Sequence, residues 1–113
     1  MTLILDKTID VSPQKVFSVL TDLNQASQWM PAIQKIDAIS SGPFGLGTTW
    51  RETRKAGNRI MESTIRVTTL EPSKVLGIAV EGRGMMGQMR FTLSPSGAGT
   101  NVHYEAEMKG RGL

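Results

Sequence analysis

Histidine, cysteine and clustered carboxylates are where most protein chemistry begins, and this sequence is sparing with them. His103 is the one histidine, and there is no cysteine. A thiol nucleophile, a thiolate metal site and a disulfide framework are therefore excluded. Strand alternation puts His103 with Asn101, Glu105 and Glu107 on a solvent-facing side. It reads as a surface histidine, not as a base beside a nucleophile. No Asp/Glu cluster has the spacing of a calcium loop, so neither a metal nor a cofactor is expected. The glycines from Gly42 to Gly47 lack the Gly-Lys-Ser/Thr of a phosphate loop and join two strands instead of opening a helix. They read as a turn.

The polar residues with the most to offer are Glu52 and Arg54. They share strand parity with Trp50. If Trp50 faces an apolar interior, both charges point inward with it, and such charges are costly unless paired with each other or with a ligand. Glu52 is then placed to take or give a proton, and Arg54 to stabilise an enolate oxygen or orient the polar end of a guest. The competing reading has both at a strand end, snorkelling to water. Methionine is abundant, with seven residues. Met61, Met85 and Met89 fall on inward parity, as do Ile65 and Tyr104. Methionine is unbranched and polarizable, so it suits an adaptable apolar pocket, although it also serves as ordinary core filling. Trp29 reads as packing a short helix against the sheet.

The elements that must hold these residues are legible in order. Leu3 to Val11 alternates as a strand. Ser12 is a good N-cap, Pro13 suits the first helical position, and Val16, Phe17, Val19 and Leu20 follow at helical spacing. Asp22 caps a second short helix from Leu23 to Trp29, which Pro31 ends. Strands follow at Ile33–Ser40, Thr48–Lys55, Arg59–Leu70, Lys74–Glu81, Met85–Ser94 and Thr100–Met108, each bounded by turn residues. In the first of these, simple alternation sets Ile33, Lys35 and Asp37 against Gln34, Ile36 and Ala38. The expected fold class is α+β: a seven-stranded, curved antiparallel sheet with two short helices between strands 1 and 2. One apolar and one polar face are expected of such a sheet. Two short helices cover only part of the apolar face, and a partly covered concave face is a cavity for a small ligand.

At 113 residues the chain is one domain, spanning 1–113. Hydrophobic residues make up 39% and charged residues 20%, a globular balance and not a disordered one. The net charge of +3 is too modest and dispersed to argue for nucleic acid. No apolar run approaches the ~20 residues of a membrane span, and no signal peptide is visible, so a cytoplasmic location is expected.

The ordered set Ile9-Asp10-Val11-Ser12-Pro13 with Val16-Phe17, Leu20-Thr21-Asp22, Trp29-Met30-Pro31, Gly42-Pro43, Gly47-Thr48-Thr49-Trp50, Leu70-Glu71-Pro72 and Gly99-Thr100 resembles the START-like, or helix-grip (SRPBCC), superfamily, in its polyketide cyclase/dehydrase-like branch. The resemblance covers nearly the whole chain. It implies a helix-grip fold and a cavity for a small hydrophobic or aromatic molecule: a lipid, polyketide or quinone-like ligand. Trp50, Met61, Ile65, Met85, Met89 and Tyr104 are the expected ligand-binding residues, and Glu52 and Arg54 the expected catalytic pair should the protein be an enzyme. Relatives of the cyclase type promote aldol-type ring closure and dehydration; others act as chaperones or maturation modules. Members of the superfamily usually close the cavity with a long C-terminal helix, for which the sequence after Met108 leaves no room. The uncovered sheet face is therefore expected to associate into a homo-oligomer, which a monomeric mass by light scattering would refute.

Overall fold

The computed structural model describes residues 1–110. Ten hairpin-forming and helical segments follow the order read from the sequence: β1 (Thr2–Ile9), α1 (Pro13–Leu20), a 3-10 turn (Leu23–Gln25), α2 (Ala26–Trp29), β2 (Ile33–Asp37), β3 (Thr49–Ala56), β4 (Arg59–Glu71), β5 (Val75–Gly82), β6 (Met85–Ser96) and β7 (Gly99–Gly110). The strands form one antiparallel sheet in the order β1-β7-β6-β5-β4-β3-β2. Sequential hairpins account for every pairing except β1 with β7, which brings the first strand against the last, Thr2 opposite Glu107 and Ile9 opposite Thr100.

Local chemistry explains the elements. Ser12 accepts from the Lys15 backbone N–H at 3.3 Å and Pro13 occupies the first turn of α1. Asp22 caps the 3-10 turn by accepting from Asn24 N–H. The segment expected to be one helix from Leu23 to Trp29 is therefore split into a 3-10 turn and a short α-helix. The β6–β7 hairpin is tied to β1 by Thr100, fully buried, whose hydroxyl donates to the Val11 carbonyl at 2.6 Å.

The core sits on the concave face. Trp50, Ile65, Val67, Leu76 and Val80 are buried there, with Phe17, Leu20 and Leu23 from the helical segment packed against them. One expectation of the sequence is corrected in β2. Pairing shifts between Ile33 and Lys35, with Ile33 opposite Arg54 and Ile36 opposite Glu52. The bulge adds one residue, so Ile33 and Ile36 fall on the same face instead of opposite ones. β2 also stops at Asp37, short of Ser40, because Ala38 takes a left-handed backbone with φ 51°. Among the described residues no long helix follows β7, and no helix is long and apolar enough to cross a membrane.

Candidate functional site

Between the concave face of the sheet and the helical segment lies a half-open cavity of about 960 Å³. This is at the upper end of the ~300–1,000 Å³ usual for small-molecule sites. Its floor follows from the register. Trp50 is opposite Ile65, Glu52 opposite Ser63, and Arg54 opposite Met61. Ile65 is in turn opposite Val80, Ile78 opposite Met89, and Phe91 opposite Tyr104. In the β4–β5 pair the register shifts only past Val67, between Val67 and Thr69, so these side chains stay on one face. Trp50, Glu52, Arg54, Met61, Ile65, Met85, Met89 and Tyr104 all line this one space.

The lining is mostly apolar, with Glu52, Arg54 and Tyr104 as one polar group and Arg59, Glu62, Ser63 and Arg83 as a second set towards the hairpin tips. Glu52 is buried, with 5% of its surface exposed. Its Oε2 accepts from Arg54 Nε at 2.6 Å. Arg54 is half-buried, and its Nη2 lies 3.7 Å from Met30 Sδ. The two charges therefore meet each other in the cavity wall, Glu52 buried and Arg54 still partly in water. Tyr104 stands within the field of Arg54. Burial raises the Tyr104 pKa above its ordinary value, only partly opposed by the guanidinium charge, so the phenol stays protonated and can donate. It also packs against Phe91, with ring centroids 4.9 Å apart. Trp50 is held by Phe44 at 6.2 Å between ring centroids, and its indole N–H is buried with no partner among the described residues.

The group can do two things chemically. Arg54 and Tyr104 supply N–H and O–H donors to an oxygen on a guest, and Glu52 supplies a carboxylate held rigid by its salt bridge. Strand parity alone did not reveal Met30, which touches Arg54 from the end of α2. Met108 and Phe91 also line the cavity, and their alternation with Tyr104 and Met89 was a usable signal. Trp29 lines the cavity from α2 while remaining 39% exposed, so it stands at an opening and is not sealed against the sheet.

His103 lies outside this space on the convex face. Its Nδ1 is 2.8 Å from Asp6 Oδ1 and its Nε2 is 3.0 Å from Glu105 Oε1. Hydrogen bonding to Glu105, then to Asp6, raises its pKa above 6.5. Among the described residues no group of three or more His, Cys, Asp or Glu side chains could hold a metal ion.

Residues 4–113 match a family model described as polyketide cyclase / dehydrase and lipid transport. No curated protein sequence gives a significant match. Solved structures share the fold. The Zhui aromatase/cyclase from a Streptomyces species has a TM-score of 0.85 at 16% identity, covering 100% of this chain and 70% of that chain. A protein from Thermus thermophilus has a TM-score of 0.83 at 14% identity, covering 98% and 75% of the two chains. The ginseng major latex-like protein 151 from Panax ginseng has a TM-score of 0.79 at 14% identity, covering 97% and 79%. At such identities the likeness is one of fold.

Proposed function

The chain belongs to the polyketide cyclase / dehydrase and lipid transport family, and from that membership we propose that it binds a small hydrophobic or aromatic molecule, of lipid, polyketide or quinone-like kind, between the sheet and the helices. The observation that carries this reading is a cavity of about 960 Å³ with mostly apolar walls and a buried carboxylate paired inside it, Glu52–Arg54, with Tyr104 in the field of the guanidinium. Removing about 200 Å² of ligand apolar surface from water is worth roughly 5 kcal/mol, less the cost of immobilising the guest. Donors from Arg54 and Tyr104 then choose among guests by rewarding an oxygen at one position. Five methionines, Met30, Met61, Met85, Met89 and Met108, line the walls and let them adapt to differing ring shapes. Native mass spectrometry of the freshly purified protein is expected to show an added mass that organic extraction releases as an apolar compound. Absence of any such adduct, together with no saturable uptake of naphthoquinone, would contradict the proposal.

The Glu52–Arg54 geometry also supports a second reading, an aldol-type cyclase/dehydrase. Glu52 removes a proton from the carbon beside a substrate carbonyl, and the enolate oxygen is held by Arg54 and Tyr104. The enolate carbon attacks a second carbonyl of the same chain, the resulting alkoxide takes up a proton, and loss of water follows. Turnover that survives both Glu52→Gln and Arg54→Leu excludes this pair as catalytic.

A homo-oligomer remains part of the proposal. Leu3 and Leu5 continue the concave face past Ala106 and Tyr104 and are 45% and 53% exposed. A cytoplasmic, reducing location is the setting that a chain without cysteine suits.

A further inference from the structure

We propose that the end of the molecule formed by the hairpin tips docks on an anionic lipid bilayer. The pairing register gathers four cations along that end. Lys55 is opposite Ile60, and Arg59 is opposite Ala56, at the tip of β3–β4. Arg83 occupies the turn between β5 and β6, and Lys109 is opposite Met86 near the end of β7. From β3 to β7 they span four strand spacings, about 19 Å before curvature, and Lys109, level with Arg51 through Met86, Glu81 and Thr64, stands four residues, about 14 Å, behind Lys55 along the strands. All four side chains are exposed, and none is ion-paired with another described residue. Among the described residues, Glu62 and Glu81 are the exposed carboxylates at this end, two against these four cations.

Exposed apolar side chains stand among these charges. Ile60 is 57% exposed, Met61 38% and Met86 36%. A single exposed apolar residue needs no explanation, but three interleaved with unpaired cations form the pattern of an interfacial membrane site. Each cation near an anionic leaflet adds attraction, and the apolar chains enter the headgroup layer. The cavity lining runs out to the same tips through Arg59, Met61 and Arg83. An acidic protein partner fits less well. Narrow turns around an opening do not offer the ~800 Å² of complementary surface that a stable protein interface buries per partner, whereas a fluid bilayer conforms to them.

This inference does not depend on what occupies the cavity. Its test is co-sedimentation of the full chain, without added cavity ligand, with phosphatidylcholine vesicles and with phosphatidylglycerol-rich vesicles. Binding is expected only with the latter, and high salt should reduce it. Arg59→Gln with Arg83→Gln should lower partitioning about thirtyfold, since each cation near the surface is worth roughly a fivefold effect. Ile60→Ser with Met86→Ser should also lower it, at unchanged charge. All sites are exposed, and unchanged circular dichroism spectra will establish that the variants fold. Equal recovery with both vesicle types, or wild-type partitioning by the Arg59/Arg83 variant, would overturn the proposal. So would charge-dependent binding indifferent to Ile60 and Met86, which is what a surface for acidic proteins would give.

Discussion

Glu52 is the buried charge on which the site turns. It is 5% exposed and depends on Arg54 for compensation. Deleting Arg54 strands a carboxylate in an apolar wall, whereas deleting both removes the problem. Arg54→Leu is therefore expected to destabilise by about 2–4 kcal/mol, and Glu52→Leu with Arg54→Leu to recover most of that loss. Urea unfolding of the single and double variants checks it; equal losses in both would mean the pair is not coupled. On the opposite face, His103 gains partners as a cation. With its folded pKa above 6.5, its stabilising contribution is fully present below that value and is lost as pH rises through the raised one. NMR titration of this one histidine should give a value above 6.5, lowered more by Glu105→Gln than by Asp6→Asn, the order of the two hydrogen-bond effects. A titration unmoved by either change would show that the two contacts do not persist in solution.

At the scale of elements, most of the cavity lining was legible because β3, β4, β6 and β7 alternate without interruption where they cross the cavity. Trp50, Met61, Ile65, Met85, Met89 and Tyr104 could be assigned to one face on period two alone. The bulge between Ile33 and Lys35 was not legible, since it depends on how β2 fits β3 and leaves no glycine or proline as a sign. The approach of Met30 to Arg54 was hidden for a related reason: α2 has four residues, too few for periodicity to aim a side chain. Ser12 was the reverse case, a short-range signal borne out by its capping bond. Ser12→Ala is expected to cost about 1 kcal/mol, read as a lower urea midpoint at unchanged slope. Gly87, on the concave face of β6, is set by close approach and not by backbone conformation. A Cβ there would meet Met108 Sδ and the Glu107 carbonyl oxygen. The sulfur can move but the carbonyl belongs to β7, so Gly87→Ala should cost about 1–3 kcal/mol in the same experiment.

As a whole, the molecule is a curved sheet whose concave side is only partly filled by its own helices. The buried core around Trp50, Val67 and Leu76 forms part of that side, and Trp50, Ile65, Leu76 and Val80 also face the cavity. The rest of the cavity wall is largely methionine and other partly exposed apolar side chains, with charged residues at Glu52 and Arg54 and towards the hairpin tips. The same sheet face thus carries a packed core and still leaves open space beside it. It also makes methionine an internal reporter, because five of the seven methionines line the cavity, while Met1 and Met86 do not. The most direct test is a titration of the whole chain, carrying carbon-13 methionine methyl groups, with naphthoquinone. The account predicts saturable shifts of the Met30, Met61, Met85, Met89 and Met108 methyl signals, with Met1 and Met86 unmoved. Saturable binding that moves only Met1 or Met86, or no shift in any cavity methyl at saturating naphthoquinone, would contradict it.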